Sequence, residues 1–147
     1  MYQLAHLNIV RMRAPLEDPI MQRFVDWLDP VFGLADDSEG FVWRLQTEEG
    51  LASADHTFDD ESLLINMSVW ESGEHLKAFV LDPNHMQVMK ESSSWFLPLP
   101  KPFLVLWWIR SGQLPSADEA KKKLEFLAAH GPTAEAFTFY PAFPPPE

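Results

Sequence analysis

Residues Leu63 to Ser72, LLINMSVWES, alternate at period two and read as a β-strand. Leu63, Ile65, Met67 and Val69 form one wholly apolar face. Leu64, Asn66, Ser68 and Trp70 form the other, where an amide and a hydroxyl sit among large apolar neighbours. A strand with one greasy and one mixed face is usually half core and half solvent. Here the mixed face carries no charge and ends in a tryptophan, which suits the lining of a cavity better than a wet surface. Tyr2 to Val10 repeats the design, with Ala5, Leu7 and Ile9 on one face and Leu4, His6, Asn8 and Val10 on the other. The two stretches are expected to share a sheet with like faces aligned.

The remaining pattern supplies the other elements. Asp18-Pro19 opens a helix, Asp as N-cap and Pro at the first helical position. Met21, Phe24, Val25, Leu28, Val31 and Phe32 recur at helical spacing, and Pro30 inside that run is expected to kink or split it. Phe41 to Gln46 reads as a second strand, followed by a polar loop from Thr47 to Asp60. Ser72 caps a further helix carrying Leu76, Phe79 and Val80. Asp82-Pro83 restarts a helical segment with His85, Met86, Met89 and later Trp95-Phe96. Phe103 to Arg110, FLVLWWIR, is a strand apolar on both faces, as expected when both are covered. Ser116 to Glu119 is a capping box before a last helix with Ala120, Leu124, Leu127 and Ala128 on its apolar stripe, closed by Gly131-Pro132. Lys121 to Lys123 reads as its solvated face. The Pro- and Phe-rich segment 132–147 is expected to lie as an ordered arm over the body, because Phe137, Phe139 and Phe143 disfavour a free tail.

The order strand, helix, strand, strand, helix, strand, helix predicts an α+β fold. It is a ferredoxin-like βαββαβ antiparallel sheet with helices on one face and an extra C-terminal helix, in a single domain over 1–147. Leu7, Ile9, Ile65 and Met67 are expected beneath the helices. The mixed face would then be open to water, and a second subunit is expected to cover it.

Composition narrows the possible functions. The 147 residues carry a formal net charge of -11, which disfavours nucleic acid and anionic membrane surfaces as partners. There is no cysteine, so disulfides, thiolate nucleophiles and thiolate metal sites are excluded, and a cytoplasmic location is expected. MYQLAHLNIV lacks a basic segment followed by an apolar run, so no signal peptide is expected. The apolar run Phe103 to Ile109 is too short to span a bilayer.

SVWES before a helix, followed by DPNH, resembles the third strand and second helix of the dimeric α/β-barrel superfamily, which includes the antibiotic-biosynthesis monooxygenases. More narrowly, LNIVR, GFVWRLQ, NMSVWES, LWW and GPTAEAFTF resemble a bacterial family of unknown function within it. The resemblance implies a homodimer whose two sheets face each other, with a ligand cavity between each sheet and its helices or inside the barrel. Superfamily members include cofactor-free oxygenases, lactone isomerases, polyketide cyclases and haem-degrading enzymes. The haem-degrading branch uses an Asn on the first strand with a Trp and a His on the second helical segment. Asn8 matches the Asn, but the Trp position falls near Phe79 and the His position near Met89.

His6, Asn8, Asn66 and Ser68 share a face and could hold a carbonyl or phenolate oxygen, with His6 as general base. The plain alternative is a satisfied polar cluster under the dimer seam. His85 sits near a helix N-terminus, where the dipole favours a neutral imidazole that could serve as base or ligand; the alternative is a capping or surface histidine. Trp43, Trp70, Trp107 and Trp108 could stack on a planar ligand or simply pack, and Trp107 and Trp108 point to opposite faces. Arg44 could clamp a carboxylate, though an ion pair with a nearby acid is the more economical reading. His56, His75 and His130 read as solvent-facing. No metal-ligand, nucleophile-triad or phosphate-loop spacing is present.

These residues point to a small homodimer taking an apolar, aromatic or polyketide-like molecule. It would be a cofactor-independent oxygenase, isomerase or cyclase with a histidine base and no metal. A non-catalytic binder of such a ligand, or of haem through His85, stays open, as does a partner-protein role.

Overall fold

The computed structural model describes residues 1–45, 52–53, 62–100 and 102–146. Strand β1, Tyr2–Met12, is central. It pairs antiparallel with β4, Leu63–Trp70, and with β6, Leu104–Arg110. Strand β2, Phe41–Arg44, and the two-residue β3, Ala52–Ser53, pair with β4. The main strands therefore run β2–β4–β1–β6, all antiparallel, which is the ferredoxin-like order. Short β5, Phe96–Leu97, pairs with Arg11 and Met12, so Phe96 leaves the helical segment on which the pattern had placed it. β3 falls within the stretch read as a polar loop; the rest of Thr47 to Asp60, including Asp55 and His56, lies outside the described residues, as does Gln46.

The register aligns like faces as expected. Leu4 opposes Trp70, His6 opposes Ser68 and Asn8 opposes Asn66 on one side; Ala5, Leu7 and Ile9 oppose Val69, Met67 and Ile65 on the other. Side chains alternate along each strand, so this pairing decides which residues can meet.

The helices start where the caps predict. Asp18 accepts a hydrogen bond from the Ile20 amide at a 3-10 turn, Pro19–Met21, which leads into α1, Gln22–Asp36. Ser72 caps α2, Gly73–Val80, Asp82 caps α3, Pro83–Glu91, and Ser116 caps α4, Ala117–His130. Pro30 does not split α1. A proline removes only its own amide bond to the carbonyl four residues back, and Pro30 and Asp26 both lie on the exposed side of α1, where water serves that carbonyl.

The assignment of faces to helices is the reverse of the sequence expectation. The all-apolar face packs under α4: Ala5, Leu7, Met67, Val69, Val105 and Trp107 cluster with Ala120, Leu124 and Leu127. The mixed face lies under the earlier helices. Leu4, Trp70 and Leu106 pack with Leu76, Phe79 and Val80 of α2, and Leu64 packs with Met21, Phe24 and Trp95. This face therefore needs no second subunit to leave water. The mixed face contributes Leu4, Leu64, Leu106 and Trp70, apolar area enough for the helices to bury, while the C-terminal helix takes the fully apolar side.

The arm after α4 is ordered. Phe137 exchanges two backbone hydrogen bonds with Leu106, 2.8 and 2.9 Å, on the outer edge of β6. Its side chain is 1% exposed and joins Leu4 and Trp70. The Trp108 indole donates to the Phe143 carbonyl at 2.9 Å. An unpaired sheet edge is thus covered by the chain's own end. Phe137→Ala is expected to destabilise the fold by about 3–5 kcal/mol, the usual cost of emptying a buried phenylalanine site, as measured by urea denaturation. A loss below about 1 kcal/mol would show that the arm is not anchored there.

Candidate functional site

Three polar side chains of the mixed face lie in the layer between sheet and helices. His6 is 7% exposed and Ser68 is 8% exposed, the two buried polar residues of the described chain. They are cross-strand partners, and His6 Nδ1 lies 3.3 Å from Ser68 Oγ. The Trp70 indole, two residues along on the same face, donates to the same Ser68 oxygen at 2.9 Å. Ser68 is thus the hub of a buried chain of three side chains. Asn8, next to His6 on this face, has its Oδ1 buried without a hydrogen-bond partner among the described residues.

Four rings wall this site. Phe41 meets Trp70 edge-on at 5.4 Å, Trp70 stacks on Phe79 at 5.2 Å, and Phe79 meets His85 at 4.8 Å. The series runs from β2 through β4 and α2 to α3. Phe41 reaches the mixed face because a bulge between Phe41 and Trp43 changes the register of β2. The same bulge sends Trp43 to the opposite face, against the α4-side core. Phe41 was read from sequence only as a strand residue, and Phe79 as a stripe residue and the position falling near the haem-degrading Trp; no local signal marks a packing phenylalanine as a neighbour of buried polar groups.

Both histidines are held neutral at pH 7. Burial, aided by charge repulsion from the nearby His85, pushes His6 down from 6.5 to about 4. His85 is half-buried, and its pKa also falls, chiefly through desolvation; its bond to the Val80 carbonyl and the charge of Asp82 oppose that shift. Burial, rather than the helix dipole invoked from sequence, is the main cause. His85 Nδ1 donates to Val80 O at 3.0 Å, the last residue of α2.

The other sequence candidates lie elsewhere. Asn66 opposes Asn8 but is exposed, so it marks the rim of the site. Trp107 is on the α4 face and donates to Glu119 at 2.8 Å. Arg44 opposes Ser68, but its guanidinium is committed to Asp36 through two bonds, 2.8 and 3.2 Å, over the ring of Phe32. It joins β2 to the end of α1, the ion-pair alternative read from the sequence. His75 is not solvent-facing: it bonds Ser72 and packs against Gly40, whose φ of +81° admits no side chain there. His130 is exposed and meets Phe126.

The haem-degrading arrangement does not fit these residues. Phe79 offers no hydrogen-bonding group and fills the space between Trp70 and His85, while Met89 is 50% exposed on α3. Among the described residues no three His, Asp or Glu side chains converge as a metal site requires, and no helix is long and apolar enough to cross a membrane.

A family model described as Domain of unknown function (DUF3291) matches residues 3–147. No curated protein matches the sequence. Solved structures share the fold at low identity. A conserved protein from Methanosarcina mazei is 10% identical with a TM-score of 0.54, over 75% of this chain and 93% of its own. A protein of unknown function from Nitrosomonas europaea is 13% identical with a TM-score of 0.51, over 80% and 98%. A second Nitrosomonas europaea protein, described provisionally as an antibiotic biosynthesis monooxygenase, is 7% identical with a TM-score of 0.51, over 79% and 94%. The fold is thus that of the antibiotic-biosynthesis-monooxygenase-like ferredoxin-like proteins.

The buried histidine makes stability depend on pH. Unfolded, His6 titrates at its ordinary 6.5; folded, at about 4. The unfolded chain gains the proton first, so the contribution of neutral His6 is intact above the unfolded value and is lost as pH falls towards the folded one. The full loss is roughly 3 kcal/mol. Between about pH 7 and pH 4.5, His6→Gln should lose roughly 2–3 kcal/mol less stability than the parent in urea denaturation, with the His85 share retained in both. Equal losses would show that His6 is not held neutral.

Proposed function

The chain belongs to the DUF3291 family, and from that premise we propose that it is a small-molecule-binding protein. Its ligand is an apolar, aromatic or polyketide-like molecule that enters between the mixed face of β1–β4 and helices α2 and α3. There it acts as a cofactor-independent oxygenase, isomerase or cyclase with a histidine base. The buried, unpartnered Asn8 Oδ1 beside neutral His6 carries this reading. An unsatisfied buried acceptor costs about 1–3 kcal/mol, and a fold with no use for it would replace it with an apolar side chain. A ligand donor would satisfy it. The Trp70–Phe79–His85 rings offer an aromatic wall, and exposed Asn66 a polar rim.

The functional unit is a homodimer in this reading. Its support is the family resemblance together with exposed apolar residues along the sheet, Val42 on β2, Leu97 on β5 and Phe103 before β6. The covering of the mixed face no longer argues for it. Sedimentation at twice the 16.9 kDa chain mass is the expected result, and a monomer at all concentrations would remove the dimer.

Asn8→Leu separates a ligand acceptor from a packing defect. The variant should be more stable than the parent by about 1–3 kcal/mol in urea, because the orphaned carbonyl is gone. It should also bind the probe 2-naphthol about tenfold or more weakly, read by tryptophan fluorescence; one lost hydrogen bond of roughly 1.4 kcal/mol has that effect. Unchanged 2-naphthol affinity, or no binding by the parent, overturns the site.

A further inference from the structure

The hydrogen-bond partners of the two histidines differ in kind. Val80 offers a backbone carbonyl, which can only accept, so His85 carries its proton on Nδ1. Its Nε2 is then an unprotonated lone pair. At His6 the partner is the Ser68 hydroxyl, which already receives the Trp70 indole. An indole N–H can only donate, so Ser68 Oγ accepts from Trp70 and still has one proton to place. No other acceptor for that proton is found among the described residues. If His6 also donated to Ser68, the hydroxyl proton would be left buried without a partner among the described residues, at a cost of about 1–3 kcal/mol. The satisfied arrangement has Ser68 donating to His6 Nδ1, which places the ring proton of His6 on Nε2.

We propose that the two histidines are locked in opposite tautomers, His85 as the proton acceptor and His6 as the proton donor of the site, with Ser68 and Trp70 as positioning residues that set the second. This deepens the proposed function and rests on it for what the pair acts upon. It also moves the base from His6 to His85. A ligand hydroxyl would pass its proton to His85 Nε2, the O–H bond breaking and the N–H bond forming. The electron pair stays on the ligand oxygen, and His6 Nε2–H is the donor able to hold that oxyanion. His85 is the half-buried ring and His6 the buried one, so the base lies nearer the protein surface. The cationic His85 formed in this step is balanced by the ligand oxyanion and by Asp82, the α3 cap residue that already acts on it.

The tautomers are read without any ligand, in long-range proton–nitrogen correlation spectra of the 15N-labelled full chain near neutral pH. The expected result is a pyrrole-type Nδ1 and pyridine-type Nε2 for His85, and the opposite for His6. In Ser68→Ala the His6 pattern should lose its single tautomer while that of His85 stays, a change a merely packed serine would not cause. The same tautomer at both rings, or averaged nitrogens at either ring in the parent, overturns the proposal; so does an unchanged His6 pattern in Ser68→Ala. Should that variant fail to fold, the parent spectrum alone decides. A failed 2-naphthol titration with these tautomers in place would instead refute the binding reading and leave the lock standing.

Discussion

The hydrogen-bond chain from the Trp70 indole through the Ser68 hydroxyl to His6 is the constraint on which the site depends. Each group is buried, and each would cost free energy if left alone. Their positions follow from a single register. Pairing β1 with β4 so that His6 opposes Ser68 also sets Leu4 on Trp70 and Asn8 on Asn66. A slip of one residue would exchange the two faces of β4 and put Met67 or Val69 opposite His6. The hydrophobic pattern and the polar chain therefore enforce the same pairing, and only the polar chain is particular about which atoms meet.

Around that register the chain spends several devices on closing both sides of one sheet. Helices α1 to α3 cover the mixed face, α4 covers the apolar face, and the arm pairs with the free edge of β6 through Phe137. The bulge in β2 divides Phe41 and Trp43 between the two layers. Arg44, beside Ser68 in the ladder, is tied to Asp36 and so does not bring an unpaired charge into the layer. Two neutral imidazoles, the Ser68 hydroxyl and an Asn8 amide oxygen with no partner among the described residues are left as polar groups of an otherwise largely apolar layer. Low dielectric keeps the rings neutral, and neutrality allows one nitrogen of each to stay a lone pair.

Much of the fold was legible in the residues because it is written in local terms. Period-two runs marked β1 and β4, a continuous apolar run marked β6, and Asp18, Ser72, Asp82 and Ser116 marked helix starts that the structure confirms atom by atom. That His6, Asn8 and Ser68 share a face was also legible, since alternation alone places them. The order of strands and helices along the chain carried the ferredoxin-like arrangement. Less accessible were Pro30, tolerated because Asp26 faces water, and β5, two residues whose pairing is decided wholly by β1.

Alternation along the chain is enough to establish that two strands present one apolar and one mixed face, and which side chains belong to each. It did not determine what lies over either face. Alternation reports that a surface is buried, while the identity of the covering layer depends on connection lengths, crossover handedness and competition between helices for the same apolar area. Only the tertiary structure put α4 on the greasier side and brought Phe79 and His85 over the mixed one. The roles of the histidines were likewise decided there, because an imidazole's tautomer is chosen by its partner across space, Val80 for one ring and Ser68 for the other, and not by its neighbours along the chain.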